Sequence, residues 1–272
     1  STNRLIAAPI LLQAMRPGEE SIRELANAAA RFDRFQSSTN HDARSFFKSD
    51  VSVETVNRLQ LLVQIRACAL LAVDRPAEAG EDVLTGLRLA RLAGQSVDSL
   101  SSRRQQIMIA RSLQPLWEGL YAHQWNAAQL SSFQSTLSEF NLLAAHTNAI
   151  RMLVVAYVEI WSALPDSRQR NPPIPHAVGN FPRVDTWEHQ PRAWWFDRCI
   201  QLYRAGEKAI ARIDVAGGRV KMDYDWTDLQ DLPVDSDTQQ LFQEYYWSGP
   251  GPGLVSFTQN AVNQAIIACA LE

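Results

Sequence analysis

The chain has 272 residues, 46% apolar and 20% charged, and its 26 basic and 29 acidic residues leave a formal net charge of −3. Such a balance can bury roughly three quarters of the unfolded surface, but it supplies no single-sign field of the kind a phosphate backbone requires, which excludes nucleic acid as the expected partner. No stretch reaches the ~18 uninterrupted apolar residues of a membrane span; even 142–164 carries His146, Arg151 and Glu159.

In chain order, apolar spacing predicts helices over 5–15 and 21–35, the second through Ile22, Leu25, Ala26, Ala29 and Phe32 with Pro17-Gly18 before it. A polar stretch, 36–50, follows. Residues 53–73 read as a strong helix, Asp74-Arg75-Pro76 as a turn, and the next stretch as a helix to Ala93, with Gly94 expected as a left-handed C-cap. A helix over 97–123 is expected to kink or break at Pro115, with Trp117 and Leu120 both on its apolar face. Then come helices over 127–140, behind an N-cap at Asn126, and 142–164.

Residues 165–191 differ in kind, with six prolines and Gly179, and read as a long loop. Helix returns over 192–213. Residues 215–237 are irregular with short strand character, 238–247 form a short helix, 248–253 a hinge-like turn, and 254–271 a last amphipathic helix. Strand-type alternation is otherwise missing from the sequence, so the expected class is all-α with at most a short hairpin between Val215 and Asp237. The expected organisation is an N-terminal pair of helices with its polar connection (1–50), a helical stack (51–164), and a proline-rich loop with C-terminal helices packed back on the stack (165–272), together one continuous domain.

Leu61 to Gly94 spans 34 residues, the period of the tetratricopeptide repeat. Ala67, Leu70, Ala79, Val83 and Gly86 fall where that repeat places its packing residues, and the small ones let two helices approach closely. The stretch resembles one tetratricopeptide unit, although Arg91 stands where a closing proline is usual. Enlarging Ala67, Ala79 or Gly86 is expected to overpack the crossing, while Gly86→Ala is expected to favour the helix.

This run, together with Leu113-Gln114-Pro115-Leu116-Trp117-Glu118-Gly119-Leu120, His123, Trp125 and Ala127-Ala128-Gln129-Leu130, is similar to a family of uncharacterised bacterial envelope proteins. The resemblance covers about half the chain. It implies a periplasmic or envelope location and a parent with a signal or membrane anchor that continues past Ile267-Ala268-Cys269-Ala270-Leu271-Glu272. It implies no activity. Two features of the sequence agree with a chain cut from a longer parent: Ser1 opens it without the charged-then-apolar pattern of a signal peptide, and Glu272 ends it inside a helical pattern without a cap.

Candidate chemistry is sparse. Cys68, Cys199 and Cys269 lie far apart and read as buried thiols, which leaves the redox compartment open. The five histidines have no metal-ligand spacing; His176 and His189 share the proline-rich loop with Asp185 and Glu188, yet no metal and no cofactor is expected. No Gly-x-Ser-x-Gly elbow or phosphate loop occurs, and no catalytic residue is assigned. The unusual feature is aromatic. Trp187, Trp194, Trp195, Tyr224 and Trp226 are the candidate ligand-binding residues, because an indole offers a large flat apolar face with one donor for stacking on a sugar or anchoring a peptide. The spacing of Trp194, Arg198 or Cys199, and Leu202 equally fits a helix packing the loop onto the stack. The reading is therefore a non-catalytic binding or scaffold module for a protein or peptide partner or a cell-wall glycan. Its rival is a carbohydrate-binding or carbohydrate-active protein with Asp223 or Asp225 as candidate acids.

Overall fold

A computed structural model of the chain describes residues 2–31, 51–94, 101–163, 192–217, 219–220 and 252–271. The described elements are α1 (Thr2–Met15), α2 (Glu19–Arg31), α3 (Val51–Ala72), α4 (Pro76–Ala93), α5 (Ser101–Tyr121), α6 (Ala127–Ser138), α7 (Leu142–Ala163), α8 (Arg192–Ala211), β1 (Ile213–Asp214), β2 (Arg219–Val220) and α9 (Pro252–Leu271), with a 3-10 turn at Arg16–Gly18. The class is all-α. The two strands form a two-residue antiparallel hairpin, with Ile213 opposite Val220 and Asp214 opposite Arg219. The Asp214 carboxylate accepts from the Gly217 backbone N–H at 2.7 Å and holds that turn.

The centre is the α3–α4 hairpin. Ala67, Leu70, Ala79, Val83, Gly86 and Leu87 are all buried there, and the space a Cβ would fill at Gly86 is bounded by Ser112 of α5 and Gln60 of α3. The α5 helix packs on both members, α4 also touches α6, and α1 and α2 lie on α3 and α4 respectively. α5 and α6 hardly meet as helices. Their connection joins them instead: the Trp125 indole donates to the Leu116 carbonyl at 2.9 Å and meets Phe133 edge to face, centroids 5.1 Å apart. The last helix, α9, covers α6, α5 and α7. Its Gln259 accepts from the buried Leu142 backbone N–H at 2.9 Å, capping the start of α7 from 117 residues away.

Three local expectations are corrected. Gly94 is right-handed (φ −71°), not left-handed. Its lack of a side chain makes room for Gln105, whose amide would meet a Cβ at 2.0 Å. Among the described non-glycine residues the left-handed ones are Asp74 (φ 58°) and His123 (φ 51°), which end α3 and α5. Both sit in Schellman motifs: Arg75 N–H bonds the Leu70 carbonyl and Asp74 N–H that of Leu71, while Gln124 bonds Gly119 and His123 bonds Leu120. Pro115 does not break α5, which runs through it. Leu113, Leu116 and Leu120, on both sides of the proline, are buried in one core, and tertiary packing holds the helix across the missing donor. Trp117 is turned outward, away from the face that buries Leu120.

Several expected ends shift by a few residues, and Pro252 opens α9 where the sequence suggests a turn. A proline in the first helical turn gives up a donor that would be unpaired in any case. The Asn126 cap is present as a full capping box: its side chain accepts from the Gln129 backbone at 2.9 Å, and Gln129 accepts from the Asn126 backbone at 3.0 Å. The proline-rich stretch between α7 and α8, the helix expected over 238–247 and most of the 248–253 turn lie outside the described residues.

Candidate functional site

Of the aromatic set, Trp187, Tyr224 and Trp226 lie outside the described residues, and so does the side chain of Trp195. Trp194 lies in the first turn of α8 and is half-buried. What the structure adds is the rest of α8. Cys199, Leu202, Ala205 and Ala209 are buried on one face, where the helix packs on α7, and the backbone approach at Gly206 is close enough that a Cβ would meet Val154 at 2.5 Å. On the other side Phe196, Ile200 and Tyr203 stand 53%, 50% and 57% exposed. Their i, i+4, i+7 spacing stacks them on one face of the helix.

α8 therefore carries two apolar faces, of which one is spent on the fold. The charged side chains of Asp197, Arg204, Glu207 and Lys208 are interspersed along the same helix, so the exposed apolar group has a polar surround, the composition of a protein-recognition surface. Sequence reasoning places weight on the tryptophans, notes Phe196 only as part of the aromatic run Trp194-Trp195-Phe196 without assigning it to the site, and passes over Ile200 and Tyr203. The available signal was an apolar pattern on α8 too wide for one buried stripe.

The titratable groups are arranged for structure. Arg66 donates to Asp82 at 2.8 Å across the α3–α4 hairpin, with Glu78 at 3.9 Å. Burial pushes the Asp82 carboxyl up to about 7 against the pull of Arg66, and its second oxygen has no hydrogen-bond partner. His146 is buried in α7 with Nε2 unpartnered, and burial lowers its pKa to about 4, so the ring is neutral at pH 7. Burial also raises the Cys68 and Cys269 thiols to about 11, and that of Cys199 upward, which disfavours the thiolate at each; Cys199 and Cys269 are buried as expected, whereas Cys68 is only partly so. Among the described residues there is no group of three or more histidine, cysteine, aspartate or glutamate side chains able to hold a metal ion, and no helix long and apolar enough to cross a membrane. No family model, curated protein or solved structure matches the chain.

Proposed function

We propose that the chain is a non-catalytic binding or scaffold module of the bacterial envelope, built on tetratricopeptide-like stacked hairpins and recognising a protein or peptide partner through α8. The observation that carries this reading is the exposed Phe196, Ile200 and Tyr203 face, held on a helix whose opposite side is packed. A rigid helix presenting apolar anchors at i, i+4 and i+7 suits a partner with an apolar groove, because the anchors lose little freedom on binding. The tetratricopeptide-like reading is supported by the α3–α4 hairpin with α5 packed on both of its members, whereas α5 and α6, which hardly meet, do not repeat that hairpin. It is supported too by the repeated Schellman ends of α3 and α5, which Gln124 links by donating to the Leu71 carbonyl at 3.3 Å and to Asp74 at 3.4 Å. The envelope location rests on the Gln114-Pro115-Leu116-Trp117-Glu118-Gly119-Leu120 resemblance.

The test is a binding screen of envelope-protein peptides and peptidoglycan fragments against the wild type and a Phe196→Ser/Ile200→Ser/Tyr203→Ser variant. Because these side chains are exposed, the variant keeps its circular dichroism spectrum and loses peptide binding at least tenfold, given about 1 kcal/mol or more per truncated anchor. Peptide binding unchanged in the variant overturns the α8 site; a response to glycan fragments alone overturns the protein-partner reading.

A further inference from the structure

The exposed side of α8 changes character along its length. Residues four apart on a helix lie in one row, and Phe196, Ile200, Arg204 and Lys208 make such a row, every member exposed. Its first two members are apolar and its last two are basic. At a rise of about 1.5 Å per residue the row is about 18 Å long. Tyr203 and Glu207 are exposed in the adjoining row, the ring beside the apolar half and the carboxylate beside the basic one.

The two cations are not used by the fold. Among the described residues no ion pair involves Arg204 or Lys208, and Glu207, three residues from Arg204, does not close on it. The acid at the other end is engaged, since Asp197 accepts from Gln201. The helix under the row is firmly seated: Cys199, Leu202 and Ala205 are buried, and the backbone at Gly206 lies close against Val154 of α7. The apolar half and the basic half are therefore held at a fixed separation before any partner arrives.

We propose that α8 recognises an acidic amphipathic peptide segment, which lays apolar side chains on Phe196, Ile200 and Tyr203 and brings carboxylates to Arg204 and Lys208. This rests on α8 being the peptide-binding face, and adds the partner's charge and direction. Carboxylates are the complement of two unpartnered cations, and Arg204 offers a planar fork that can take one bidentately. The order along the row sets how the segment runs, with its acidic end toward the last turn of α8. Glu207 repels an acid laid along its own row and so confines carboxylates to the row of Arg204 and Lys208. An anionic lipid surface is the poorer fit. A helix lying in that interface spreads basic residues along its whole polar side, whereas α8 gathers these two at one end and exposes Glu207 between them.

The test is selection of a displayed random-peptide library on the full chain, run in parallel on Phe196→Ser/Ile200→Ser/Tyr203→Ser and on Arg204→Glu/Lys208→Glu. All five side chains are exposed, so both variants keep the wild-type circular dichroism spectrum. The wild type is expected to enrich peptides that join an apolar stretch to aspartate or glutamate, and the charge-reversed chain to enrich lysine and arginine in their place. An enriched peptide with its acids changed to glutamine binds about fivefold more weakly, as two exposed charge pairs allow, and raised salt removes the difference. Peptides that need the apolar trio but show no acidic bias, or keep that bias after charge reversal, overturn the proposal and leave the α8 face standing. Peptides recovered equally on the serine variant, or no enrichment on the wild type, overturn both. Binding to phosphatidylglycerol vesicles that both variants lose, without peptide enrichment, overturns the proposal in favour of a membrane.

Discussion

Gly86 shows how a rule true of isolated helices reverses inside a crossing. Replacing a helical glycine by alanine favours the helix by up to ~1 kcal/mol, and the sequence alone recommends that change. In the folded chain the added Cβ would stand 2.7 Å from the Ser112 hydroxyl. That hydroxyl cannot move freely: it donates to the Met108 carbonyl at 3.0 Å and accepts from Gln60 at 3.1 Å, all within the buried α3–α4–α5 seam. Overpacking of this kind costs about 1–3 kcal/mol, which outweighs the propensity gain. Gly86→Ala is therefore expected to lower the urea midpoint, and a midpoint that rises shows that Ser112 has given way. Asp82 and His146 add a pH dependence at the same scale. The Asp82 carboxyl is raised from 3.8 to about 7, so its contribution is fully present below pH ~4 and is lost as pH rises through 7. His146 is lowered from 6.5 to about 4, so its contribution is present above pH ~6.5 and is lost as pH falls through 4. Between those limits the slopes oppose each other and wild-type stability is expected to be nearly flat. Removing one group uncovers the other: His146→Leu loses stability as pH rises from 4.5 to 6.5, and Asp82→Asn loses it as pH falls over the same range, each by up to ~1.4 kcal/mol per pH unit. Urea midpoints at several pH values check the sign for each variant, and equal slopes in the two would show that neither group governs the dependence.

At the level of elements, what was legible in the sequence is what neighbouring residues determine. The Asn126 capping box and the apolar spacing of 142–164 are local signals, and the helices they announce lie within a few residues of expectation. The misreadings arise where a distant residue decides. Gly94 has the composition of a left-handed cap, yet it is small because Gln105 occupies the space beside it. The left-handed positions went to Asp74 and His123, whose side chains tolerate that region and give no glycine to read. Pro115 carries a strong local penalty, but the leucines on either side of it are fixed in the core by other helices. For the candidate site the limit is different: Trp187, Tyr224 and Trp226 stand out in the sequence as aromatic faces in and after a proline-rich loop, whereas Phe196, Ile200 and Tyr203 become meaningful only once α7 is seen to cover the opposite face of α8.

Across the whole molecule, closure depends on contacts between the last helix and mid-chain helices that share no local signature. α9 packs on helices far earlier in the chain, its Gln259 meeting Leu142 across 117 residues, and its Val255, Val262, Ala265 and Cys269 join the same buried cluster as Phe133, Leu137, Leu142 and Leu143. Gln259 adds a polar register to that apolar contact: its amide oxygen caps Leu142 while its nitrogen donates to Asn263 at 3.2 Å. The Leu142 N–H is buried, so removing its acceptor leaves a donor with no water to replace it, a cost of about 1–3 kcal/mol. Gln259→Ala should therefore destabilise the chain by that amount, although α9 retains its apolar seat. Native-state hydrogen exchange decides how far the effect spreads. Since α9 touches α5, α6 and α7 together, the loss should appear as an equal fall in protection of slow amides in all four helices. A fall confined to α9 would mean that the last helix opens on its own and that the core formed by the α3–α4 hairpin, α5 and α6 is stable without it.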